Sequence, residues 1–488
     1  MRFLGLDIGT TRIKCGIYAE NGSLLYSDGG EYGVRQWQQE TCLDIEGLQR
    51  CVKKLLKRAY SRFPFDCVAI SSLGESFVLL DERDKILFPP MLYTDARGET
   101  EAEYFKKDAE KIFRISGVCP QGMYSVYKLL RIKNSYREIY EKAEKLMLVG
   151  DYIGYILTGN RGSDDYASAS RTGVLDIRKK EISFELCALF GIDEKLFSPV
   201  VRQGEIIGEI RSELLKEWET KKSIVLVAGS HDQVCAALGA GVTDTGTCVD
   251  GMGTVECMTT VFKQPFDCLE AGLCGYPNVP FIDELYCTYL LNYSCGSLVR
   301  WWMDGRFSDV ETESGSAFSV WEKQFREVPT GLLVLPYFAG AATPYQDLST
   351  VGGIVGLKLS HTSADVYKGI LEGLCMEMRL NLETAGNFGV RPRQLIATGG
   401  GAASGKWLQI KADITGLPVY PLESKEAGVC GAAMLGASAL GKESVSTLKE
   451  RFVKIKAPYL PVGERKKEYD ELFERYKKLY RTIKNLYE

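Results

Sequence analysis

Near its start, in the stretch GLDIGTTRIKCGIY (residues 5–18), the chain sets Asp7, Thr10, Thr11 and Lys14 around a tight turn at Gly9. Amides and hydroxyls in a glycine-containing turn converge on one point and can bind phosphate oxygens, while a nearby carboxylate can hold hydrated Mg²⁺. The plain alternative is a polar hairpin tip whose charges are incidental, and this motif alone does not choose. A second stretch, TCVDGMGTVECMTTV (247–261), again places a Gly-Thr pair, Gly253 and Thr254, between two strand-like runs. Two such tips facing one cleft would clamp a polyphosphate from both sides.

Further chemistry lies in AGSHDQVCAALGAGV (228–242), where a strand delivers Ser230, His231, Asp232 and Gln233 to the start of an alanine-rich helix. Asp232 is either the N-cap of that helix or a reactive carboxylate at the mouth of a cleft. His231 could serve as the base instead, although an imidazole beside an acid is more often a structural or polar-contact residue. In SSLGESFVLLDERDKILFPPMLYTDARG (71–98), Glu75, Asp95 and Arg97 stand at the ends of apolar segments. They could bind vicinal hydroxyls or be surface turn residues. A third glycine cluster, LIATGGGAASGKWLQIKADITGLPVYPL, follows a strand at 395–398 and opens a helix. Its GGAASGKW (400–407) satisfies G-x-x-x-x-G-K, but Trp407 stands where a Walker loop needs a metal-binding hydroxyl, so that reading is rejected. Such a bend still lets a flat ring lie against the backbone, and Gly399, Gly400, Gly401 and Ser404 suit an adenosine seat.

The elements that must position these residues read as α/β. Strands are expected at 2–8, 13–19 and 23–27, a helix from Ile45 to Ser61, a buried strand at 67–73 and a hairpin-like pair, FVLLD and ILFPPMLY. From Glu99 to Lys145 the pattern is mostly charged amphipathic helix, broken at Gly117 and Pro120. The recurrence of a Gly-Thr hairpin near residue 247 is a weak internal repeat and suggests two related lobes. AGVCGAAMLGASAL, between Glu426 and Leu440, predicts a small-residue helix packed tightly against a neighbour. Glu464–Glu488 predicts one charged helix, with Tyr469, Phe473, Tyr476 and Tyr480 turned to the core.

Composition narrows the functions these motifs can serve. The 488 residues are 45% hydrophobic and 25% charged, as in ordinary folded proteins, and a net charge of −4 argues against a dedicated nucleic-acid binder. No apolar run reaches the roughly 18 residues of a membrane helix, and the start lacks an export segment, so the cytoplasm is the expected compartment. Fifteen cysteines without a C-x-x-C pair suggest buried free thiols. With only two histidines, His231 and His361, a multi-histidine metal site is excluded, and no G-x-S-x-G elbow is present.

Four motifs in order, DIGTT, GSHDQ, GMGT and GGGAASGKWLQIKAD, make nearly the whole chain resemble the FGGY family of carbohydrate kinases. The resemblance implies two actin-like ATPase (ribonuclease H-like) lobes, with ATP and sugar meeting in the cleft between them. The lobes would span 1–243 and 244–488, the latter ending in a helical tail at 460–488. It makes Asp232 the catalytic base and Gln233 a substrate contact, with Glu75, Asp95 and Arg97 at the sugar end. Asp7 would bear on Mg²⁺. Gly9, Thr10, Thr11 and Lys14 would meet the outer phosphates, Gly253 and Thr254 would hold them from the other lobe, Gly296 would contact the nucleotide, and Gly400, Gly401 and Ser404 would seat adenosine. Departures are Arg131, where the family's first signature usually has tryptophan, and Gly369, where the second expects alanine or serine. Glu75 matches neither the Met-His usual in xylulokinases nor the Arg-Glu of glycerol kinases. The implied reaction is phosphorylation of a terminal hydroxyl of a pentulose or hexulose. A glycerol or polyol kinase is the nearest alternative, and a non-catalytic sugar or nucleotide sensor is one from another class. The expected partners are the sugar and ATP, with no nucleic acid or membrane; a homodimer is compatible.

Overall fold

The alternation in RFLGLDI makes a strand, β1 (Arg2–Ile8), whose interior is almost wholly buried. The computed structural model describes residues 1–37, 40–161, 163–307 and 317–487. Strand β2 (Arg12–Ala19) folds back on β1 with Asp7 opposite Lys14, and β3 (Leu24–Glu31) extends the antiparallel run. Helix α1 (Ile45–Arg62), capped by the Asp44 carboxylate on the Gly47 amide, lays Leu48, Val52, Leu55 and Leu56 on the core and leads to β4 (Cys67–Ser72), parallel to β1. Farther along, β5 (Ile206–Glu209) and β6 (Val225–His231) complete a sheet of order β5-β6-β4-β1-β2-β3, and α2 (Asp232–Gly239) follows β6. The chain between β4 and β5 includes a three-stranded antiparallel sheet of Phe77–Leu80, Ile86–Phe88 and Lys145–Leu148, with helices around it.

The second half repeats the plan. Strands β7 (Thr247–Met252), β8 (Glu256–Phe262), β9 (Val279–Pro280) and β10 (Tyr286–Asn292) are followed by α3 (Gly296–Phe307) and the long α4 (Ser363–Gly386). Then come β11 (Gln394–Thr398), α5 (Gly405–Thr415), β12 (Val419–Pro421) and α6 (Ala427–Gly441). Their sheet runs β9-β10-β8-β7-β11-β12. Its portion β12-β11-β7-β8-β10 matches β6-β4-β1-β2-β3 of the first sheet in order and in every parallel or antiparallel pairing. The weak repeat in the sequence is therefore a repeat of topology, and the two Gly-Thr turns occupy equivalent hairpin tips. These are the two lobes of the expected actin-like fold.

In each repeat the last of these strands runs into a helix, and the two helices cross at the lobe junction. A Cβ on Gly431 of α6 would lie 1.9 Å from the Cys235 carbonyl oxygen of α2, and one on Gly239 the same distance from that of Ala427. Only glycine permits backbones to approach so closely. Helix α6 also lies on the first sheet, where a Cβ on Gly5 would meet the Val429 oxygen at 2.0 Å. The small-residue run in AGVCGAAMLGASAL thus packs against two neighbours.

The tail departs from expectation in one respect: it forms two helices, α7 (Gly463–Tyr476) and α8 (Leu479–Tyr487), where one was predicted. Leu479 and Ile483 of α8 must reach the core on a different line from Tyr469, Phe473 and Tyr476 of α7, and the break at Lys477–Lys478 supplies that turn. The tyrosines also have polar partners, since Tyr469 and Tyr476 donate to Glu372 and Glu377 of α4 at 2.8 and 2.6 Å. Tyr480 is half-buried, stacked on Tyr345 with centroids 3.8 Å apart.

Candidate active site

The first hairpin tip is closed by the Gly9 amide donating to the Arg12 carbonyl at 3.0 Å, and the Tyr32 hydroxyl holds the Gly9 carbonyl from below. Thr10 is half-exposed and Thr11 exposed, and among the described residues neither hydroxyl has a hydrogen-bond partner. Asp7 lies just beneath, at the end of β1, accepting from Ser71 Oγ at 2.6 Å. Burial raises its carboxyl above the usual range, Ser71 and Lys14 pull it down, and Glu426 pushes it up. Lys14 Nζ is 2.7 Å from Glu426 Oε2, so its charge is matched from across the lobe junction. Glu426 immediately precedes α6, and no local pattern connects it to a lysine 412 positions earlier.

The second tip, Gly253 and Thr254, is exposed and carried by the start of α3. The Gly296 amide donates to the Gly253 carbonyl at 2.9 Å, while the Cys295 and Ser297 amides both donate to that of Thr254. A Cβ on Gly296 would stand 2.6 Å from the Gly253 oxygen. The Gly296 N–H is thus spent on the tip, and its lack of a side chain lets the helix sit there. The Ser404 hydroxyl caps α5 by accepting from the Trp407 amide at 3.0 Å and donates to Glu322 at 2.6 Å. Gly400 keeps open space where a Cβ would be, as an aromatic ring lying on the backbone requires, whereas Gly401 is packed on Met252 and Trp407.

Lys406 is exposed in the first turn of α5 and belongs to neither hairpin tip. Lys406→Ala should therefore weaken ATP binding by no more than about fivefold, the reach of one exposed charge near a helix start. Loss of turnover by orders of magnitude in steady-state assays would mean that this third cluster handles phosphate.

Asp232 is not a cap. His231 occupies the N-cap position of α2, Asp232 is the first helical residue, and no side-chain cap is made. The Asp232 carboxyl is pushed up to about 7 by burial and by Asp7 and Glu75, against the pull of the Gln233 amide and Arg171. A third of the side chain stays exposed, so the group is enclosed yet open on one side. Proton acceptors poised near neutral pH are made this way. Gln233 beside it is half-buried.

Glu75 is almost fully buried in a left-handed backbone conformation (φ 58°), and its Oε1 takes Arg171 Nε at 2.7 Å. Arg171 is itself buried, with its guanidinium 4.9 Å from the Tyr124 ring and 5.8 Å from that of Tyr289. Asp95 and Arg97 pair with each other through Nε at 2.9 Å and Nη2 at 2.5 Å. Lys128 joins this end of the site. It donates to the Leu92 carbonyl at 2.6 Å, and burial holds its amine down at about 8 in spite of Glu75 and Asp95 nearby. Arg171, Lys128, Glu426 and Tyr289 were all missed from sequence.

Residues 2–239 match the N-terminal domain, and residues 240–440 the C-terminal domain, of the FGGY family of carbohydrate kinases. The chain is 25% identical to a xylulose kinase of Bacillus subtilis (strain 168), over 99% of this chain and 97% of that one. It is also 25% identical to a gluconokinase of the same organism, over 99% and 96%. A solved ligand-bound xylulose kinase from Lactobacillus acidophilus superposes with a TM-score of 0.91 at 23% identity, covering 99% of this chain and 98% of the other. With family models matching residues 2–239 and 240–440, the chain belongs to the FGGY family of carbohydrate kinases.

Proposed function

We propose that this kinase phosphorylates a terminal hydroxyl of a neutral ketose, a pentulose or hexulose, with ATP as donor. One observation supports a neutral sugar: three of the cations described near Asp232 already face a carboxylate. Arg171 is bound by Glu75, Arg97 by Asp95 and Lys14 by Glu426, whereas Lys128 meets only the Leu92 carbonyl and Nη1 of Arg171 and of Arg97 has no hydrogen-bond partner. A sugar acid would bring a carboxylate beside Asp7, Glu75 and Asp232, where like charges oppose it and much of the nearby cationic charge is already matched. Ketose over polyol is supported by the several xylulose kinases among the relatives.

The sugar hydroxyl would lie against Asp232, which accepts its proton as the oxygen attacks the terminal phosphorus in line. Thr10 and Thr11, with the amides of their turn, would hold phosphate oxygens from one lobe, and Gly253 and Thr254 from the other. Positioning and charge neutralisation account for most of the rate in such transfers. Asp7 fits Mg²⁺: its carboxylate accepts one side-chain hydrogen bond, its nearest ammonium is matched by Glu426, and Mg²⁺ commonly takes one or two carboxylates plus substrate phosphates. When bound there, Mg²⁺ would supply charge neutralisation on the nucleotide. All fifteen cysteines are free, and most are buried, which suits a cytoplasmic enzyme. No helix of the described residues is long and apolar enough to cross a membrane.

An ADP-release assay with pentuloses, hexuloses, glycerol and gluconate tests the reading. A ketose should give the highest kcat/KM, with gluconate at least about 10²-fold lower. Preference for gluconate would overturn the argument from charge, preference for glycerol would overturn the ketose, and no turnover with any sugar would favour a sensor.

A further inference from the structure

We propose that His231 is a positioning residue, holding the carboxylate of Asp232 in its accepting orientation and tying it through Tyr289 to the second lobe. His231 ends β6, and Tyr289 lies on β10 of the other sheet; both are about 5% exposed. His231 Nδ1 is 3.2 Å from the Tyr289 hydroxyl, and Nε2 is 3.4 Å from Asp232 Oδ1. Behind the imidazole, Gly74 leaves no slack, since a Cβ there would stand 2.9 Å from His231 Cδ2.

Electrostatics chooses the tautomer. Burial and the neighbouring Arg171 keep the imidazole neutral, so it carries one N–H. A bare Nε2 would set a lone pair against an ionised carboxylate, whereas an Nε2–H points a donor at it. Nδ1 then accepts, and the Tyr289 hydroxyl donates to it. The Tyr289 oxygen in turn takes the Cys287 thiol at 3.9 Å. The donors thus run from Cys287 to Tyr289 to His231, and Nε2–H faces Asp232 Oδ1 across a 3.4 Å polar contact. The Asp232 carboxylate already takes the Gln233 backbone N–H, and this chain faces its other side. Because Tyr289 belongs to the second sheet, the orientation of the base depends on how the lobes sit together.

The inference rests on Asp232 being the base. Three variants test it by steady-state kinetics: His231→Phe keeps the shape without hydrogen bonds, His231→Gln keeps a donor and an acceptor, and Tyr289→Phe removes only the remote hydroxyl. His231→Phe should lower kcat roughly tenfold to a hundredfold, the worth of one hydrogen bond to a charged group, with KM for sugar and ATP within about threefold. His231→Gln should recover most of that loss. Tyr289→Phe should lower kcat by about threefold, and its effect should vanish in a His231→Phe background, because it acts through the imidazole. Equal losses in the Phe and Gln variants, a loss confined to KM, or full additivity in the double variant would overturn the relay. If His231→Phe does not fold, Tyr289→Phe decides alone: unchanged kcat refutes the relay. Where Asp232→Asn abolishes turnover and these variants do not lower it, only the relay fails; where Asp232→Asn keeps turnover, the base itself has been misassigned.

Discussion

Asp232→Asn should lower kcat by about 10²-fold or more while the affinity for nucleotide changes by no more than about twofold. Asparagine keeps the size and the helix start, and the aspartate caps nothing, so the loss isolates proton acceptance. Wild-type kcat/KM, which reports groups of the free enzyme, should fall about tenfold per unit as pH drops below about 7, where burial and the charges of Asp7 and Glu75 cause Asp232 to take up a proton. Stability should move the opposite way from activity. A carboxyl raised in the folded state from 3.8 to about 7 binds its proton more tightly there than in the unfolded chain. Its contribution is full below pH 3.8 and is lost as pH rises through 7, so at pH 8 ionised Asp232 burdens the fold. The asparagine variant should then melt no lower than wild type at pH 8. Near-normal turnover would remove Asp232 from the chemistry, and a lowered melting temperature would give it a structural task.

What the sequence made legible is local. DIGTT and GMGT announce themselves because a phosphate-type turn needs small and hydroxylated residues within a few positions, and the structure sets both at equivalent tips. The run AGVCGAAMLGASAL likewise signalled close packing, since only small side chains allow backbones to touch. Asp232 could be narrowed to two readings but no further: N-cap and first helical residue differ by one position, and only the geometry of His231 separates them.

What was illegible comes from pairs distant along the chain. Arg171 lies 96 positions from Glu75, and neither carries a turn or period that predicts the other. Glu75 is also in a left-handed conformation, which nothing in GESF requires. Ser404 shows the converse. Its motif was found, but its bond to Glu322, 82 positions away, was not legible. A motif locates a turn; which of its atoms remain free depends on what packs against it.

The second large effect expected is on stability, from Lys411→Met. Lys411 on α5 is wholly buried, and its ammonium hydrogen-bonds both Asp250 of β7 and Glu256 of β8, themselves wholly buried. One cation faces two acids, and Asp250 Oδ1 and Glu256 Oε2 have no partner of their own. Burial pushes the Glu256 carboxyl above its usual range; Lys411 draws it down and Asp250 pushes it up further. Removing the ammonium leaves two facing carboxyls in a dry site, and breaking a buried pair in this way costs about 3–5 kcal/mol. The urea midpoint should fall, followed by tryptophan fluorescence, since four of the six tryptophans lie beyond residue 300. The folded state retains a proton that an unfolded Glu256 gives up above 4.5, so stability from this group is full below that pH and erodes as pH rises through the folded value. Without the ammonium that draws it down, the carboxyl holds its proton to a higher pH, so the variant goes on losing stability where wild type levels off, and its deficit should be larger at pH 8 than at pH 6. Asp250→Asn and Glu256→Gln added to Lys411→Met should restore part of the loss, because a cluster without charge pays no ionic desolvation. The same ties run from the helix behind the third glycine cluster to both strands of the Gly253–Thr254 hairpin, so Lys411→Met should raise KM for ATP more than KM for sugar. A stability within about 0.5 kcal/mol of wild type would mean that the two carboxyls find protons without strain, and that packing rather than the ion cluster holds the hairpin.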